Sequence, residues 1–175
     1  MENFKPYNFK EPLARTEKQE LGRGKKALIF CSTCGIVYYQ KAWHHTPDHF
    51  KGLVKEGKKP KDYAINFKLC PACQMVKDRQ YEGRIIIEGV PDKAVAELEN
   101  LAMNFCEKAR VRDPLDRLIA LKRDKNRMEI TLTENQLAKR LAHKIKEVFH
   151  KASVHITYAG SPSDVVEIKI NFIHS

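Results

Sequence analysis

The chain has 175 residues, 42% of them hydrophobic and 31% charged, with a formal net charge of +10. That length accommodates one ordinary domain or a small module joined to a medium one, and the composition is that of a soluble globular protein. No apolar run approaches the roughly 20 residues that cross a bilayer, and "MENFKPYNFKEPLARTEKQE" lacks the apolar core of a secretory signal, so no membrane partner and a cytoplasmic location are expected.

Residues 1–26 mix Lys, Arg, Glu, Pro and Gly without apolar periodicity and end in "LGRGKK", which reads as a flexible basic arm closing on Lys25 and Lys26. The charge is unevenly spread. Met1 to Tyr81 carries sixteen Lys or Arg against eight Asp or Glu, whereas Glu82 to Ser175 carries sixteen against fourteen. An acidic partner such as RNA fits this excess, because neutralised phosphates release condensed counterions. Solubility alone is the plainer reading of the same charge.

Residues 27–81 form the next candidate unit. Cys31, Cys34, Cys70 and Cys73 make two C-x2-C pairs, and each pair can present two thiolates to one tetrahedral ion. Four such sulfurs make a closed structural zinc site. The pairs lie about 35 residues apart, longer than ordinary zinc-ribbon spacing. Gly35 permits a tight turn with backbone amides facing sulfur, and Pro71 stiffens the other turn. A redox dithiol is the main rival, but neither pair adjoins the βαβ pattern of thioredoxin-type motifs. A disulfide framework fits poorly with an odd count of five cysteines. Cys106, the odd one, falls on the apolar side of a predicted helix and reads as a core thiol. His44, His45 and His49 are nearby alternatives as ligands, although four thiolates already complete a closed site.

Between the pairs, Tyr38, Tyr39 and Trp43 interleave with Lys41 and precede a polar insert carrying Lys58, Lys59 and Lys61. Aromatics among lysines suit RNA, where unstacked bases meet rings and ammonium groups meet phosphates. The competing reading is that these rings pack around a small core. Lys77 and Arg79 follow the second pair, and Arg140 and Lys144 share the polar side of a later helix, so all four are candidates to extend a basic surface.

Residues 82–175 read as an α+β domain. "GRIIIEG" predicts a buried strand; "VPDKAVAELENLAMNFCEKARVRD" spaces Val95, Leu98, Leu101, Ala102 and Phe105 at helical period after Pro91 and Asp92. "DRLIALKRDKNRMEITLT" predicts a hairpin around "RDKN". Thr133 and Gln136 are placed as a capping box for "ENQLAKRLAHKIKEVFHK", whose Leu137, Leu141, Ile145, Val148 and Phe149 form one apolar stripe. "SVHITYAG" and "DVVEIKINF" predict a closing hairpin. The order βαββαβ plus one strand is that of a ferredoxin-like domain with an addition.

Together, "LCPACQMVKDRQYEGRIIIEG" and the helix, hairpin, helix and hairpin that follow resemble the amino-terminal zinc region of the Nmd-three family, adaptors of the large ribosomal subunit. The chain looks closer still to short bacterial proteins of the same architecture, with a basic arm, "CSTCGIVYYQKAW", "CPACQMVKDR", "PLDRL" and "TENQLAKRLAHKIKEVFHKA". Nmd-three proteins carry further cysteine pairs and later domains that this sequence does not match. The resemblance implies association with ribosomal or structured RNA, or with the ribosome, and carries over only the four cysteines as zinc ligands. A protein-protein adaptor with a purely structural zinc is the alternative. An enzyme such as a nuclease is not expected, since the sequence has no Gly-rich phosphate loop, no H-E-x-x-H and no carboxylate cluster at a recognisable spacing, and no small-molecule substrate is evident.

Overall fold

The computed structural model describes residues 4–6, 27–46, 63–158 and 165–173. These fall into two compact units, one within Lys10–Gln74 and one formed by Met1–Phe9 with Met75–Ser175. Among the described residues, three helices and three sheets make a mixed α+β architecture. Among the described residues no helix is long and apolar enough to cross a membrane.

The larger unit is built on the strand β7 (Gly83–Glu88), the predicted "GRIIIE". It lies centrally in a five-stranded sheet with β8 (Leu118–Asp124), β9 (Arg127–Leu132), β10 (Ala152–Tyr158) and β11 (Val166–Phe172), in the order β10-β11-β7-β9-β8. Central placement explains the uninterrupted isoleucines. Ile85 and Ile87 enter the main core, and Ile86, pointing to the opposite face, is also buried. Two helices, α2 (Asp92–Arg112) and α3 (Asn135–Val148), cover one face of the sheet. Val95, Leu98, Ala102 and Cys106 of α2 and Leu137, Leu141 and Ile145 of α3 meet Met128, Ile130, Leu132, Val166, Ile168 and Ile170 there. The alternation of these strand residues is the period-two pattern of a half-covered sheet. Gly83 allows α3 to sit close, for a Cβ there would lie 2.5 Å from Ala138 Cβ.

The first half of the ferredoxin-like expectation is visible: β7 and β8 flank β9, which runs antiparallel to both. The second half differs. The last strand, β11, lies beside β7 and parallel to it, and β10 moves to the edge. The strand that is extra in chain order, β11, thus takes the place beside β7 that the fourth strand of a ferredoxin-like sheet would hold. Alternation in β11 supplies Val166, Ile168 and Ile170 to the core, whereas β10 is mostly exposed, so burial favours this order.

Two local expectations are also corrected. Thr133 does not cap α3, whose N-cap is Glu134 without a side-chain hydrogen bond. Thr133 Oγ1 instead accepts from Arg117 N–H at 2.8 Å and donates to Leu115 O at 2.6 Å, closing the segment before β8. Val148 is exposed rather than part of the apolar stripe, while Phe149 packs edge-on against Phe172 at 5.5 Å. The remaining stripe residues are buried, and Cys106 is a core thiol as expected, its pKa pushed up to about 12 by burial and by Asp116.

The smaller unit contains a four-stranded sheet, in the order β4-β3-β2-β5, formed by β2 (Ala27–Cys31), β3 (Val37–Tyr39), β4 (Ala42–His44) and β5 (Ala64–Lys68). The segment read as a polar insert therefore ends in a strand. On one face of this sheet Leu28, Val37 and Tyr63 form a buried cluster with Phe30 and Tyr39 at its margin, and Ile29, Ile36 and Ala72 are buried elsewhere in the unit. Of the expected basic arm, Lys5–Pro6 form β1, parallel to β6 (Gln80–Tyr81), while residues 7–26 lie outside the described residues.

Candidate metal centre

The pairing of β2 with β5 explains the long interval between the cysteine pairs. The two strands run parallel, with Cys31 level with Lys68. Parallel neighbours need a long crossover to return the chain to the starting end. In exchange, both strands end at the same edge, so the turn after β2 and the turn after β5 deliver their cysteines together. Gly35, at φ 76, closes the first turn in the left-handed region, its N–H donating to Cys31 O at 3.0 Å. Its amide braces the turn, and the amides of Thr33 and Cys34 within that turn face the Cys31 sulfur, as expected. In the second turn Pro71 opens the helix α1 (Pro71–Asp78), a position where its missing N–H costs nothing.

The sulfurs of Cys31, Cys34, Cys70 and Cys73 all lie within 4.8 Å of one another. Cys34 Sγ and Cys70 Sγ are 3.8 Å apart. A tetrahedral ion with metal–sulfur bonds of about 2.3 Å requires sulfurs about 3.8 Å apart, whereas a disulfide needs about 2.05 Å. All four are free thiols, and all but Cys34 are buried. Backbone amides are already aimed at sulfur: Cys70 N–H donates to Cys31 Sγ at 3.4 Å and Cys73 N–H to Cys70 Sγ at 3.3 Å. These bonds favour thiolate, and their geometry is that of a site arranged to bind a metal ion.

The electrostatics fit the same conclusion. Burial opposes ionisation of Cys31, but amides of Cys34, Cys70 and Thr33 outweigh it and bring its pKa to about 6. Burial pushes Cys73 up to about 11 and raises Cys70 further, with neighbouring sulfurs adding repulsion. One thiolate is therefore accommodated and a full set is not, unless a cation joins them. Among the described residues these four form the only metal-type cluster; His44 instead places Nε2 3.2 Å from Tyr39 O.

The sheet sorts the predicted aromatic residues. Tyr38 and Trp43 are cross-strand partners on one face, ring centroids 5.4 Å apart, both half-buried. Tyr39 faces the other way, where its hydroxyl lies 3.2 Å from that of Tyr63 and the rings meet edge-on. Lys41 is exposed in the two-residue turn between them, and both Gln40 (φ 49) and Lys41 (φ 66) are left-handed. Lys25, Lys26, Lys58, Lys59, Lys61 and His49 lie outside the described residues.

In the larger unit Lys77 is exposed in the last turn of α1, and Arg79 follows at φ 55, its carbonyl accepting Lys5 N–H at 2.6 Å. Arg140 donates to Asp116 at 2.6 Å, and Lys144 to Glu147 at 3.0 Å. Charge that the helix pattern presents to solvent is thus partly used within the molecule. Asp113, Asp116 and Glu134 gather beside Arg112 and Arg140, a grouping that sequence spacing does not reveal.

The sequence reading also passed over Phe67. It is 72% exposed on β5, with Ile65 at 53%, and the signal was the alternating "AINFK" between polar flanks. No family model, no curated protein and no solved structure matches the chain.

Proposed function

We propose that the protein is a non-enzymatic zinc-binding module that associates with ribosomal RNA or the ribosome, in assembly, quality control or dormancy. The observation that carries this reading is a four-thiol cluster of tetrahedral dimensions inside the most basic part of the chain. Lys10–Gln74 carries thirteen Lys or Arg against six Asp or Glu, a net +7. A divalent ion bound to four thiolates contributes about −2, so the unit stays clearly positive once loaded. Four soft sulfur ligands and a closed shell suit zinc, with a mononuclear iron site as the rival that shares this geometry. The Tyr38–Trp43 pair supplies partly exposed rings beside Lys41. The likeness to the Nmd-three zinc region points to the same class of partner.

Two measurements test the reading. Elemental analysis of the purified chain should give one zinc per polypeptide, and visible absorbance with stoichiometric iron would refute the metal assignment. Sucrose-gradient sedimentation should place the protein with ribosomal particles at low salt and free at high salt, because displaced counterions drive the contact. Migration at the top of the gradient in every buffer would refute the partner. The alternative, a protein-binding adaptor, draws on exposed Val76, Met103 and Val111 in the larger unit. Charge reversal at Lys58, Lys59 and Lys61 separates the two: RNA binding is lost under the first reading and unaffected under the second.

A further inference from the structure

One face of the small sheet passes from buried to open within two strands. Leu28 and Val37 are wholly buried, yet Ile65, level with Leu28, and Phe67, level with Phe30, are the exposed residues of that face. The Phe30 and Phe67 rings stand 6.0 Å apart with a 35° tilt, so Phe30 braces Phe67 from the core side. Leaving a phenyl ring in water forgoes about 2 kcal/mol of transfer free energy, which folding alone does not recover here. Lys68 follows Phe67 in the strand and so falls on the opposite face, whereas Lys58, Lys59 and Lys61 precede β5 in the chain.

We propose that Phe67, backed by Phe30 and flanked by Ile65, is a stacking platform for an unpaired nucleobase of single-stranded RNA. The proposal rests on the RNA reading above and names where the chain would take hold of a base. The occupant must offer a flat apolar surface joined to negative charge. A second copy of this unit would set +7 against +7 and is disfavoured. Bases within a duplex have their faces covered by neighbours, whereas an unpaired base presents a free face to an aromatic ring and its phosphates to lysines. An acidic protein segment would meet the charge but would draw on apolar area, not on the ring itself. This difference makes the proposal testable.

The metal-loaded full chain is titrated against a short 5′-fluorescein oligoadenylate by anisotropy, single-stranded and annealed to oligouridylate. Phe67→Ala and Phe67→Leu should both weaken single-strand binding about tenfold, the scale of one lost base–aromatic stack, while Phe67→Trp retains it. Duplex binding should not change, and neither should the salt slope, since the phosphate contacts persist. Metal content verifies that each variant is folded, with Trp43 emission as a second check in the alanine and leucine variants. Binding kept by Phe67→Leu but lost by Phe67→Ala would mark a plain apolar contact, as for a protein partner, and overturn the platform. Unchanged binding in both variants, with loss on Lys58→Glu, Lys59→Glu and Lys61→Glu together, would overturn the platform and leave the RNA reading standing. A parent chain that binds no RNA at low salt would overturn both.

Discussion

The two units of this molecule reach stability by different routes. The larger one closes a core of twenty buried residues between a five-stranded sheet and two helices. Among the described residues the smaller one buries only Leu28, Ile29, Ile36, Val37, Tyr63 and Ala72 besides its cysteines, and it carries the cluster of four sulfurs. Apolar burial at about 25 cal/mol per Å2 scales with area, so among the described residues packing contributes far more to the first unit than to the second. A metal ion bound at the four sulfurs would add to that packing, because such sites carry folding energy outright.

The sharpest test of this contrast removes the metal. Chelation, or Cys70→Ser, should withdraw on the order of 10 kcal/mol from the smaller unit and unfold it. Trp43, the only tryptophan, sits in that unit, so its emission should shift to the red while the helical circular dichroism of α2 and α3 persists. Unaltered Trp43 emission in metal-free protein would break the comparison. The reverse experiment is Leu141→Ala, which opens a cavity at a fully buried position of the larger unit. A loss of about 2–5 kcal/mol is expected in the helical unfolding transition, with metal retention unchanged.

A gain should follow from relieving strain in the small sheet. The two-residue turn at Gln40 and Lys41 has both residues at positive φ, where Asn-Gly is favoured. Gln40→Asn with Lys41→Gly should stabilise the smaller unit by about 1 kcal/mol, read as a higher urea midpoint for Trp43 emission. No gain would mean that the turn is held by contacts stronger than its backbone preference.

The smallest effect belongs to the larger unit and depends on pH. Burial first, then the charges of Asp116 and Asp113, raise the Glu134 pKa, with Arg140 opposing them. A raised pKa in the folded state means that the protonated form is favoured there. Its stabilising contribution is complete below the unfolded value of about 4.3 and is lost as pH rises through the folded value. Glu134→Gln should therefore match the parent in acid and exceed it in melting temperature toward neutrality. A constant difference at all pH values would locate the effect elsewhere.

Features written in short stretches were legible without a structure. The C-x2-C pairs, the β7 isoleucines, the α2 and α3 stripes and the hairpin between β8 and β9 all depend on neighbours within a few residues. So did the assignment of Cys106 to the core. The capping role expected of Thr133 failed because Leu115 and Arg117, distant in sequence, offered its hydroxyl better partners. The strand in "AINFK" is marked only by the alternation of Ile65 and Phe67 over five residues, too short a pattern to stand out from the polar stretch before it.

By itself the sequence determined that two cysteine pairs exist, that positive charge gathers around them, and that an α+β unit follows. Tertiary structure alone decided that β2 and β5 run parallel and bring those pairs to one edge, that Tyr38 and Tyr39 part to opposite faces, and that β11 enters the sheet ahead of β10. The physical reason is the same in each case. Strand pairing is a contact between segments far apart in the chain, and its register, which sets the face of every side chain, is selected by the total burial it achieves.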